Sequence, residues 1–116
     1  MSANNFYLEK GYSPQTRYQQ WEALSTLAIW TPTTGTRVVL TNLTISNNAA
    51  TGTFLIVFGN TTASRIAEFT VGASLTISPY IGAIKSTALD IEIFGRPSTS
   101  SSTGGWRVSA QGFEIP

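Results

Sequence analysis

The sequence predicts an all-β fold: an antiparallel β-sandwich of about eight strands, jelly-roll-like, with an extended N-terminal arm. Three observations predict it. No window of 11 to 18 residues carries an i, i+3, i+4, i+7 apolar stripe, whereas short alternating runs recur between turn clusters. Only 11% of the residues are charged, and Ser, Thr, Asn and Gly take the place of the missing charge. Hydroxyl side chains compete with helix hydrogen bonds and are tolerated in strands, so that exchange favours β-structure. The 116 residues, 41% of them hydrophobic, are enough for one modest core.

Residues 1–20 read as the arm and residues 21–116 as the sandwich. In "FYLEKGYSPQTRYQQW", Phe6, Tyr7, Tyr12, Tyr18 and Trp21 are interleaved with polar residues. That aromatic density is too high for a solvated tail and too irregular for a core strand, although "FYLE" can be counted as a weak strand. From Trp21 to Trp30, "WEALSTLAIW" fits a strand or a short helix, and Thr26, Ile29 and the following "TPTTG" favour strand. In "RVVLTNLTISNN", Val38 and Leu40 have one parity and Leu43 and Ile45 the other, which predicts a bulge near Asn42 or a strand start buried on both faces.

After the turn "NNAATG", every residue from Phe54 to Phe58 is apolar, which implies cover on both faces. One face meets the opposite sheet, and a neighbouring subunit is the expected cover for the other, through Phe54, Ile56 and Phe58. "RIAEFTV" and "SLTISPYI" follow, and Pro79 ends any ladder. "ALDIEIF" alternates as a half-buried strand, with Leu89, Ile91 and Ile93 on one side and Asp90 and Glu92 on the other. "STSSSTGG", Ser98 to Gly105, reads as an exposed loop joining the last two strands of one domain, stiffened by Pro97 and turned by Gly104 and Gly105. In the final strand Trp106, Val108 and Ala110 alternate with Arg107, Ser109 and Gln111, and Gly112 is expected to shift the phase so that Phe113 and Ile115 turn inwards.

The chemistry that composition excludes is broad. There is no His and no Cys, so the common general bases, activated nucleophiles and thiolate metal sites are missing. Asp90 and Glu92, two apart on one strand face, are candidates for a cation or sugar site, but a solvent-facing strand side is the simpler account. No catalytic residue, metal or cofactor is expected, and no small-molecule substrate.

A net charge of +1 gives no electrostatic footprint for nucleic acid or an anionic membrane. Arg37, Arg65, Arg96 and Arg107 lie on different strands or strand ends, with no sign that they converge. The longest apolar run is far short of a membrane span, and the first residues lack a secretory h-region, so synthesis in a cytoplasm is expected. Trp21, Trp30, Tyr80, Trp106 and Phe113 are the residues available to stack on sugar rings or bases; in a small sandwich such side chains are more often core or interface.

The segment "RVVLTNLTISNNAATGTFLIVFGN", Arg37 to Asn60, resembles the strand–SNN–strand hairpin of small virion proteins of tailed bacteriophages. The ending "RVSAQGFEIP" is similar to the last strand of the same proteins, which include capsid decoration proteins and head or tail appendage proteins. The resemblance covers roughly two-thirds of the chain, from Arg37 to Glu114. It implies a jelly-roll structural virion protein, a capsid decoration (cement) protein that forms a homotrimer and binds the major capsid protein or other virion proteins. Phe6, Tyr7, Tyr12, Tyr18 and Trp21 would then fasten the arm to its partner, because a few aromatic anchors dominate such contacts. Two alternatives stay open: a carbohydrate-binding β-sandwich module, and a structural component of the phage tail or portal vertex.

Overall fold

The computed structural model describes residues 7–59, 65–100 and 105–116. Nine strands are found among them: β1 (Gln15–Trp21), β2 (Leu27–Trp30), β3 (Arg37–Asn47), β4 (Gly52–Phe58), β5 (Arg65–Val71), β6 (Leu75–Ile77), β7 (Ile84–Lys85), β8 (Ile93–Pro97) and β9 (Trp106–Ile115). One sheet, sheet A, runs in the order β1-β9-β3-β6, with the short β7 also against β3; the other, sheet B, runs β2-β8-β4-β5. All pairings are antiparallel. The chain crosses between sheets at almost every connection, and the order defines a two-sheet jelly roll.

The core is the seam between the sheets. Trp21 from β1, Phe54 from β4 and Trp106 from β9 are at most 1% exposed, and they meet with ring centroids 4.8 Å and 5.4 Å apart. Ile45, Val108 and Ala110 from sheet A and Ile56, Val71 and Ile93 from sheet B complete it. Gly95 is required beneath Phe54, because a Cβ there would press on the ring. At one end of the sandwich the buried Asn47 joins two turns: its Nδ2 donates to the carbonyls of Ala50 and Val71, both at 3.0 Å, and its Oδ1 accepts from the Ala49 N–H at 2.8 Å.

The bulge expected near Asn42 is present: the β3–β9 register shifts between Leu40 and Asn42, leaving Thr41 as the extra residue. Before it Val38 and Leu40 face the core, and after it Leu43 and Ile45 do. The phase shift expected of Gly112 is not found, since the bulge in β3 already absorbs the change. Strand β9 keeps its alternation, Gly112 sits opposite Leu40, and Phe113 sits opposite Val39 on the outer face of sheet A. A Cβ on Gly112 would collide with the Val39 carbonyl, so the glycine allows close strand approach rather than a change of phase.

Three further expectations are corrected. Gln15–Trp21 pairs residue for residue with β9, so residues 15–20 belong to the sheet and not to an arm. The described part of "FYLE" is not a strand: Tyr7–Glu9 form a helical turn that ends at Gly11, which adopts a φ of 87°, and Phe6 lies outside the described residues. "ALDIEIF" becomes strand only at Ile93, because Asp90 takes a left-handed φ of 63° that no strand accommodates. "WEALSTLAIW" is likewise interrupted: β1 ends at Trp21, and bends precede β2 at Leu27. Of the loop from Ser98 to Gly105, residues 101–104 lie outside the described residues. Its entry is docked: Ser98 Oγ accepts from the Thr53 N–H at 2.7 Å, and the Thr99 carbonyl accepts from Trp106 Nε1 at 2.8 Å.

Candidate interaction surfaces

The aromatic residues expected to bind a partner separate into three groups. Trp21 is 1% exposed and belongs to the core, because alternation in β1 turns it inwards with Arg17 and Gln19. It is therefore no partner anchor. Phe6 lies outside the described residues. Tyr7 and Tyr12 are half-buried on the outer face of sheet A, where the Tyr7 ring stands 5.1 Å from Phe113 and 6.4 Å from Tyr12. Together with Val39 and Phe113, both 0% exposed, they form a second small apolar cluster outside the sandwich seam. The turn that brings Tyr7 there is closed by its own carbonyl, which accepts from the N–H groups of Lys10 and Tyr12 at 3.2 and 3.1 Å. Tyr18 projects from the same face of edge strand β1 and is 58% exposed, and Leu8 beside Tyr7 is 47% exposed.

The expected subunit contacts on β4 are corrected in the same way. Phe54 and Ile56 are 0% exposed within the single chain, and Phe58 packs against the same core. They face the opposite sheet; of the other parity Val57 is itself only 5% exposed, so the half-buried Leu55 is the apolar β4 residue left for an outside contact. Parity within "FLIVF" was the available signal, since in a sandwich only alternate residues can enter the seam.

On the outer face of sheet B, register places Leu55 between Arg96 of β8 and Glu68 of β5, and Val57 between Phe94 and Arg65. A groove of about 310 Å³ opens there, lined by Leu24, Leu55, Glu68 and Arg96 among others. Leu24 is 53% exposed. Arg65 reaches Glu68 at 3.7 Å, with both side chains well exposed. Arg37 and Arg107 rise from sheet A and Arg65 and Arg96 from sheet B, so the four do not converge.

The carboxylates do structural work at one end of the sandwich. Glu114 points inwards from β9, accepts from Trp30 Nε1 at 2.8 Å and from the Thr33 N–H at 3.3 Å, and meets Arg17 at 3.6 Å. The Arg17 guanidinium lies 5.0 Å from the Trp30 ring centroid, so β1, β2 and β9 are latched across the two sheets. Burial pushes the Glu114 carboxyl up, but hydrogen bonds from Trp30 and then Thr33, with the Arg17 charge, outweigh it and hold the group below its ordinary value. Asp90 and Glu92 hold the same β2–β3 connection: Asp90 Oδ1 accepts from the Gly35 N–H at 2.7 Å, and Glu92 Oε2 accepts from the Thr31 hydroxyl at 2.6 Å. Among the described residues no group of three His, Cys, Asp or Glu is placed to hold a metal ion, and no helix is long and apolar enough to cross a membrane. Of the ring-stacking candidates, Trp21, Trp30, Trp106 and Phe113 are buried, and Tyr80 alone, 97% exposed, faces solvent.

Fold and surfaces together define a small jelly-roll domain that presents two apolar-patched sheet faces. No family model matches the sequence, and no curated protein matches it. In structure the chain is similar to a chain of the cyanophage Pam1 capsid asymmetric unit, with a TM-score of 0.52 at 10% identity. The match covers 90% of this chain and 86% of that one, so the two are nearly the same length.

Proposed function

We propose that the protein is a structural virion protein of a tailed bacteriophage, a decoration (cement) protein that assembles as a homotrimer on the major capsid shell. It is made in the host cytoplasm and carried on the particle. The observation that carries this reading is the end-to-end match to a chain of similar size within a capsid asymmetric unit. The resemblance of Arg37–Asn60 to small phage virion hairpins supports the same reading and is the ground for the trimer.

The shell-facing surface is the outer face of sheet A, with the N-terminal turn packed on it. Leu8 and Tyr18 are exposed there beside Tyr7 and Tyr12, and exposed apolar and aromatic groups around a packed cluster are the composition of an interface centre. Repetition of this patch three times in a trimer turns modest single contacts into avidity.

The test is co-sedimentation with undecorated shells. Wild-type protein is expected to saturate the shells, and the Leu8→Ser/Tyr18→Ser variant, altered only at exposed positions, to lose most of its occupancy. Equal occupancy of the variant would overturn the assignment of the surface. Absence of wild-type binding at saturating concentration would overturn the function.

A further inference from the structure

The outer face of sheet B has the geometry to pair with itself. Its central strand, β4, presents the half-buried Leu55, flanked by Arg96 on β8 and by Glu68 on β5; Val57, between Phe94 and Arg65, is 5% exposed and covered within the chain. Across the strands one row therefore reads basic, apolar, acidic, and the next reads aromatic, apolar, basic. Among the described residues Glu68 has Arg65 at 3.7 Å, whereas no ion pair involves Arg96, which is exposed. A carboxylate accepts more than one donor, so Glu68 has capacity for a second guanidinium.

We infer from this geometry a two-fold contact between two copies of the chain, with the axis running parallel to β4 in the plane midway between the two facing copies of sheet B. That operation exchanges the β8 side for the β5 side and leaves position along the strand unchanged. Leu55 then meets its own counterpart. Arg96 of each copy lies over Glu68 of the other, and Phe94 of each lies under Arg65 of the other, an arrangement that suits guanidinium–ring stacking. A two-fold axis across the strands would instead set Arg96 against Arg96. Sheets facing each other pack about 10 Å apart and keep their strands within roughly 30° of alignment, a gap that long Arg and Glu side chains span. A two-fold contact is self-complementary, as this row is.

The contact does not depend on a capsid. It uses the face opposite to the proposed shell-binding surface. Where a three-fold contact also forms and its axis meets the two-fold at a right angle, the doubled unit is a hexamer.

Light scattering of the pure protein against concentration reads it directly. The wild-type mass should double as concentration rises. Glu68→Arg and Arg96→Glu, both at exposed positions, should each weaken that doubling by on the order of 100-fold, since each reversal puts two like-charge pairs in the contact. An equimolar mixture of the two variants should regain it, because every Arg–Glu pair is then restored in the mixed pair. Melting curves that match wild type establish that the single variants are folded. Single variants that keep the wild-type mass, a mixture that stays single, or a wild-type mass that never doubles would each overturn the proposal. Variants of unchanged mass that no longer bind shells would assign the face to the shell protein instead.

Discussion

Removing the Glu114 carboxylate separates an inter-sheet latch from an ordinary surface acid. Its side chain is 6% exposed, accepts from Trp30 Nε1 at 2.8 Å and from the Thr33 N–H at 3.3 Å, and lies 3.6 Å from the 38% exposed Arg17. Hydrogen bonds to an ionised group contribute about 1.5–3 kcal/mol each where the donor is otherwise unsatisfied, whereas a half-exposed ion pair contributes only about 0–1 kcal/mol. Glu114→Ala strands the indole N–H and opens a small void, for a loss of about 3 kcal/mol. Glu114→Gln keeps an acceptor for Trp30 but loses the charge, for about 1–2 kcal/mol. At roughly 4 °C per kcal/mol for a domain of this size, the melting temperature should fall by about 12 °C and about 4–8 °C respectively. Thermal melting reads the temperature shifts, and urea denaturation followed by tryptophan fluorescence reads the free energies.

The pH dependence carries the sign. The folded-state pKa of Glu114 lies below its ordinary value of 4.5. Its contribution is therefore complete above about pH 4.5 and disappears as pH falls through the lower folded value. The wild-type advantage over Glu114→Gln should be constant from pH 6 to 8 and close under acid. A Glu114→Ala protein within about 0.5 kcal/mol of wild type, or an advantage that grows on acidification, would refute the latch.

Tyr7→Ala should uncover Phe113 and cost about 1–2 kcal/mol by lost apolar burial, read as a lower urea midpoint at unchanged slope. Asn47→Ala removes the acceptor of the buried Ala49 N–H and a donor to the Val71 carbonyl, while the Ala50 carbonyl keeps the Thr99 hydroxyl, and should cost about 2–3 kcal/mol in the same assay. Gly112→Ala should cost about 3 kcal/mol or more, because its Cβ meets the Val39 backbone and neither strand can retreat without breaking the ladder; expression as a fully folded protein with an unchanged midpoint would count against that close approach.

How much of this was legible in the sequence varied with the kind of signal. Parity within a strand was readable: the switch between Val38–Leu40 and Leu43–Ile45 pointed to a bulge near Asn42 or a strand start buried on both faces, and the structure places the bulge at Thr41. The same parity, applied across Phe54–Phe58, separates core from outer face, but a run with no polar residue does not say which half is inside. Asp90 and Glu92 alternate with apolar residues as a strand would, yet their side chains hold the Thr31–Gly35 turn and draw Asp90 into a left-handed backbone. That outcome depends on residues more than 50 positions away and leaves no local trace. Trp21 was grouped with the arm because aromatic density blurred the start of β1, whose partner β9 lies at the far end of the chain. Contacts of such long sequence separation decide a jelly roll, and local patterns record them weakly.

The most direct test of the virion reading is a cryo-electron microscopy reconstruction of purified particles of the phage that encodes the protein. The account predicts trimeric jelly-roll density on the outer surface of the shell, with sheet A and the Leu8–Tyr18 patch against the shell protein. Particles whose protein content lacks this chain altogether would contradict it.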